Sequence, residues 1–125
     1  MVEFALVLPL LVLLTIAGVE FGLVVKDWIN VTNSARVAGR AAAAARFSDG
    51  PNCTGVRAAV DTAMTAQGFS SSDWTLTALN PPSSAPCAPG TDVRVTLSRP
   101  WNVSVPFLPF SPSGTITSDV TEKIE

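Results

Sequence analysis

Between Phe4 and Val25 the chain carries one charged residue, Glu20. As a helix, this run would extend about 33 Å, and the hydrocarbon core of a bilayer is about 30 Å thick. Apolar surface on that scale has to be covered by lipid, by other helices or by a protein core. A cleavable signal peptide would show a basic start, a shorter apolar core of about 7–15 residues and a small-residue cleavage site. This chain has no basic residue before Lys26. A buried core helix is the other alternative, but the run is long for a chain of 13.0 kDa. The favoured reading is a membrane anchor that can also pack into a bundle of like helices. Pro9 lies inside it and removes one backbone hydrogen bond, a break that membrane helices tolerate when neighbours satisfy the freed group. Lys26 and Asp27 mark the exit from the membrane.

Glu3 is the unusual residue of the run's start. A carboxylate beside so much apolar surface is costly unless paired, and the nearest cation is an N-terminal amine. Within one helix the two are too close in sequence to pair easily. In a bundle of staggered identical helices, Glu3 meets a neighbour's amine; the alternative is a Glu3 hydrated at the water interface. Glu20 stands near the opposite interface, with Lys26 as an available partner.

The stretch Met1-Val2-Glu3-Phe4-Ala5-Leu6-Val7-Leu8-Pro9, followed by Gly18-Val19-Glu20-Phe21-Gly22, resembles the N-terminus of TadE-like pilus proteins, from the tight-adherence (Tad) branch of type IV pili. Asn33-Ser34-Ala35-Arg36-Val37-Ala38-Gly39-Arg40, with the alanines after it, is similar to that family's continuation. The resemblance covers roughly the first 45 residues. It implies a structural pilin subunit, major or minor, of an extracellular filament used for surface adhesion. Its partners would be copies of itself or other pilins, a prepilin peptidase that cuts after a Gly, and the pilus assembly machinery. Phe4, Pro9, Glu3 and Glu20 would be the subunit-assembly residues. The family's Glu at about the fifth mature position corresponds to Glu3, third in this chain; either the cleavage site lies upstream of Met1 or processing differs.

Beyond Lys26 the helix is expected to run on. Trp28, Val31, Ala35, Ala38, Ala42 and Ala45 step by three and four and form one apolar stripe, while Lys26, Asn30, Asn33 and Arg40 fall elsewhere. Ser48, Asp49, Gly50 and Pro51 end the pattern. A helix from Val2 to Phe47 would be about 69 Å long. The small side chains of the stripe suit close packing against the chain's own head or against neighbouring helices, and the sequence leaves both open. Arg36 and Arg40, one turn apart, form either an intersubunit ion-pairing face or a solvated one.

The remainder reads as a small α+β head. Val56, Ala59, Val60, Ala63 and Met64 give an amphipathic helix from Thr54 to Gln67, with Gly68 as its stop. Alternation then marks three strands. Trp74, Leu76 and Ala78 share one face of the first; Val93, Val95 and Leu97 one face of the second; Ile116, Val120 and Ile124 one face of the third. Val103, Val105 and Phe107 suggest a fourth, which Pro106 demotes to an edge or loop. The Pro-rich stretch Trp101–Pro112 is either an adhesive or subunit-contact surface, or aromatics packed under a loop. Asn80–Gly90, with four prolines, is a loop. Cys53 and Cys87 are expected to staple it in an oxidising compartment; a bridge closing about 35 residues stabilises by ~3–4 kcal/mol. The expected organisation is an anchor and filament-core helix over 1–25, a helical stalk over 26–47, and a head of one helix on a three- to four-stranded antiparallel sheet over 48–125.

The side-chain inventory argues against catalysis. There is no His, so the abundant serines lack their usual activating base. The ten acids are dispersed and no phosphate-binding glycine loop is present. Neither a cofactor nor a metal is expected. The eight basic residues are scattered and the net charge is −2, unlike a nucleic-acid-binding surface. Asn30, Asn52 and Asn102 begin N-glycosylation tripeptides, which also arise often by chance. The expected location is the cytoplasmic membrane before assembly and a cell-surface filament after it. The rival from another class is a single-pass, membrane-anchored extracytoplasmic binding module that never polymerises. Glu3 separates the two, because a staggered bundle uses it and a simple anchor does not.

Overall fold

A computed structural model describes residues 2–45, 53–79, 86–104 and 111–125, except the side chains of Val2, Glu3 and Ala5. The expected helix stop at Ser48–Pro51, the tripeptide at Asn52, and Val105, Pro106, Phe107 and Phe110 lie outside the described residues. So does the Glu3 carboxylate.

The first helix, α1, runs from Val2 to Ala44 and includes Pro9. Its 43 residues span about 64 Å. The second helix, α2 (Thr54–Ala66), buries Val56, Val60 and Met64 at steps of four. It ends in a Schellman turn. Gly68 takes φ of 79°, its N–H donates to the Thr65 carbonyl at 3.0 Å, and the Phe69 N–H donates to the Met64 carbonyl at 3.0 Å. That turn carries Phe69 back into the core, where it is buried.

Three strands follow: β1 (Trp74–Leu79), β2 (Asp92–Asn102) and β3 (Ser113–Lys123), antiparallel in the order β1-β2-β3. The register sets Leu76 opposite Val95 and Val95 opposite Val120, so the alternation read from the sequence builds one apolar face. β2 continues past the alternation of Val93, Val95 and Leu97, through Pro100, to Asn102. Pairing with β1 stops at the Trp74–Leu97 pair. After the Ser98 N–H, which donates to the Asp73 carbonyl, that side of β2 has no strand beside it, and Pro100 falls there, a position that tolerates a residue without an N–H. The fold is the expected α+β arrangement: a long apolar N-terminal helix, one further helix and a three-stranded antiparallel sheet.

The core lies between this face, α2 and the C-terminal half of α1. Val31, Ala35, Ala38 and Ala42 are buried there with Val60, Met64, Val93, Val95, Leu97 and Ile124. The small-residue stripe thus packs on the chain's own head. Trp28 departs from expectation: its side chain is 57 % exposed. At that level α1 meets the head through Val24 and Asp27 instead, which share grooves with Trp101. Cys53 and Cys87 form a disulfide with a Cα–Cα distance of 5.4 Å, and both are buried.

Candidate assembly and membrane surface

Among the described residues, α1 up to Thr15 is exposed along its length, and from Ala17 to Val24 one side lies beside Trp101, Val103 and Pro112. Leu6, Leu10, Leu14, Val19 and Phe21 are all exposed, Leu6 to 75 % and Phe21 to 70 %. Leu8 to Leu13 are all exposed too, and six consecutive residues at about 100° each cover the whole circumference, so the segment is not a core helix with one dry stripe. It is long and apolar enough to cross a membrane, and its most apolar stretch is not buried in the protein. The Thr15 hydroxyl donates to the Val12 carbonyl at 2.8 Å, so its polar group needs no outside partner. Pro9 is different. It leaves the carbonyl four residues before it without its helical donor, which suits a site where another helix packs closely.

Phe4 is exposed on this surface and Glu20 is half-buried. Glu20 lines a groove with Lys26, Asp27, Arg99 and Asn102. Sequence reasoning placed Lys26 near Glu20 but missed Arg99, because nothing in the sequence showed how far β2 would reach along α1. A second groove, almost wholly apolar, lies between Ala17, Phe21 and Val24 on α1 and Trp101, Val103 and Pro112 on the hairpin. Arg36 and Arg40 are exposed and line a third groove with Asp119 and Glu122. Among the described residues, the ion pair made is Arg94–Asp119 at 3.8 Å, with both side chains well exposed. Exposed pairs of this kind stabilise by about 0–1 kcal/mol.

Asn30 and Asn102 are exposed, as their tripeptides require. The acid with a shifted titration is Asp73. The Ser70 backbone N–H donates to its carboxylate at 2.9 Å and the Ser70 hydroxyl at 2.8 Å. These bonds, with Arg99 and Ser72 adding to them, hold its pKa below the ordinary 3.8. This is a structural turn at the start of β1: the Asp73 carbonyl accepts from the Ser98 N–H at 2.8 Å. Among the described residues no group of His, Cys, Asp and Glu is placed to hold a metal ion.

Residues 1–40 match the family described as TadE-like protein. The likeness is confined to this N-terminal segment. The match covers α1 almost to its end, including the exposed apolar half, Glu20, and the part of the small-residue stripe up to Arg40. No curated protein and no solved structure matches the chain significantly. The TadE-like likeness is therefore one to pilus-associated proteins with a hydrophobic N-terminal helix, and it fits a membrane-anchored or surface location.

Proposed function

We propose that this chain is a structural pilin subunit of a Tad-type extracellular filament that serves surface adhesion. Residues 1–25 are the anchor and filament-core helix, 26–47 the stalk and 48–125 the head. Before assembly the subunit waits in the cytoplasmic membrane with its head outside. A prepilin peptidase processes it, and the assembly machinery moves α1 from lipid into a bundle of helices from other copies or other pilins. The apolar surface stays out of water throughout, which keeps the transfer feasible.

The observation that carries this reading is the division of α1. Its C-terminal half completes the head's core, while Phe4 and the run from Leu6 to Thr15 stay exposed among the described residues. A head that closes its own core leaves that run free for exchange between lipid and protein partners. Glu3 then pairs with a neighbour's amine and sets the stagger between subunits. Mass spectrometry of filaments sheared from cells tests the proposal. Peptides of the head and a mature N-terminus from this chain are expected. A protein found only as a detergent-solubilised monomer, with filaments unchanged in number and content after its deletion, would support the non-polymerising binding module instead.

A further inference from the structure

The direction of the β2–β3 hairpin relative to α1 fixes where its open end lies. At one end the Glu125 N–H donates to the Ala43 carbonyl at 3.4 Å. Further down, Gly39 packs on Val120 and Glu122. At the other end Trp101, Val103 and Pro112 share a groove with Val24, Phe21 and Ala17. The described part of the hairpin therefore descends along α1 toward its N-terminus, and Trp101, Val103 and Pro112 lie beside the apolar run, not above it. The Val103 N–H donates to the Pro112 carbonyl at 2.9 Å, so this end is held as a pair of chains.

Depth follows from helix rise. Ala17 lies eight residues before Val25, about 12 Å further down the axis. The part of α1 below the hairpin, Phe4–Ile16, spans only about 20 Å, against a bilayer core of about 30 Å. A helix seated so that its run to Val25 leaves water must draw the hairpin end down with it. The alternative, a bilayer thinned to the shorter segment, strains the lipid and leaves Phe21, Val24 and Val103 in water. The chemistry around the end is that of the interfacial zone. One groove is apolar; the adjoining one presents Glu20, Lys26, Asp27, Arg99 and Asn102. Trp101 lines both, an indole with an apolar body and one N–H donor.

We propose that the described end of the β2–β3 hairpin, Trp101, Val103 and Pro112, is a second membrane-contacting element. It sits at the boundary of headgroups and acyl chains before assembly. The occupant of the apolar groove is lipid. The proposal rests on the membrane-anchored stage of the reading above and adds that the head lies on the bilayer instead of standing clear of it on a stalk. Residues that sit in this boundary zone lie about 5–10 Å into it; of the α1 residues beside the hairpin end, Phe21 lies about 6 Å and Ala17 about 12 Å below Val25.

The test is tryptophan fluorescence of the full chain in vesicles of phosphatidylethanolamine and phosphatidylglycerol. The Trp101 signal is read as the difference between the native chain and Trp101→Phe, which leaves the buried Trp74 untouched. Leu10→Trp, read against the native chain, reports the anchor separately. Lipids brominated near the headgroup end of the acyl chain should quench Trp101 more than lipids brominated at the chain terminus. Trp101 should also emit further to the blue than an exposed indole and resist aqueous acrylamide. Val103→Asp, read directly against the native chain, should shift the total tryptophan emission toward water, a check that does not depend on how Trp101→Phe folds. Quenching of Leu10→Trp by lipid with Trp101 open to acrylamide overturns the proposal and leaves the anchor standing. No lipid quenching of either position removes the proposal and the membrane-anchored reading together. Trp101 shielded from lipid and acrylamide alike, in a chain that cross-links as a dimer, assigns the groove to a second copy and overturns the proposal too.

Discussion

Gly39 of α1 and Val120 of β3 approach so closely that a β-carbon on Gly39 would lie 2.5 Å from Val120 Cγ1 and 2.9 Å from Glu122 Cγ. Gly39 is the point at which helix and sheet touch backbone to side chain. In an isolated helix Gly39→Ala would stabilise by about 1 kcal/mol. Here the new methyl meets a β-branched side chain whose χ1 is restricted, and overpacking of this kind costs about 1–3 kcal/mol. With a β-carbon only 2.5 Å from Val120 Cγ1 the clash outweighs the propensity, so Gly39→Ala should lower the urea unfolding free energy by up to about 2 kcal/mol. Val120→Ala in the same chain should restore part of the loss. A Gly39→Ala protein more stable than its parent would sink this account of the contact.

The same residue shows what the sequence did and did not disclose. The alanine stripe at steps of three and four was visible, and so was the alternation of Val93, Val95 and Leu97, because burial on one side imposes a period on the residues. Those periods placed both helices and all three strands. Gly39 was legible only as part of a family-like string, since a close approach leaves no periodic trace and depends on which strand crosses at that level. The depth of the hairpin was hidden for a related reason. β2 runs through Pro100, a residue that reads as a strand end until one sees that β1 has already stopped pairing. The groove joining Glu20 to Arg99 follows from that extra length.

The Cys53–Cys87 bridge joins the start of α2 to the turns that precede β2. Cys53 sits just before the helix with φ of 53°, and the Arg57 N–H donates to its carbonyl at 2.8 Å. Replacing both cysteines by Ser should reduce the head's stability by ~3–4 kcal/mol, the loop-closure entropy of about 35 residues. Intact mass under non-reducing conditions should show both thiols absent, and two free thiols in native protein would overturn the pairing.

Asp73 gives the head an acid-side dependence. Its carboxylate is held below the ordinary 3.8 chiefly by the Ser70 backbone N–H and then by the Ser70 hydroxyl. A depressed folded pKa means that the ionised form is favoured by folding. Its contribution is therefore complete above the unfolded value and is lost as pH falls through the lower folded value. Asp73→Asn should be less stable than the parent at neutral pH, and the difference should shrink below about pH 4. Chemical denaturation of both proteins across that range checks it; a gap that stays constant on acidification would show that the turn is not held by the charge.

The last prediction separates the two carboxylates of the TadE-like segment. Glu20 is half-buried and shares its groove with Lys26 and Arg99 of the same chain. Its neutralisation therefore leaves cations that are already near water. The proposed role of Glu3 is different, because its partner is the amine of another subunit inside a bundle with little water. Removing one member of a buried ion pair costs about 3–5 kcal/mol, since the other charge stays behind unpaired. Glu3→Gln should leave expression and membrane insertion intact, as the apolar run is unchanged. Incorporation into filaments, measured by quantitative immunoblot of sheared fractions, should fall by about a hundredfold or more on that energy. Glu20→Gln should assemble nearly as the parent does. Normal assembly of Glu3→Gln beside failure of Glu20→Gln would mean that Glu20 is the carboxylate that matters between subunits. The stagger would then be set at the level of the hairpin, not at the helix start.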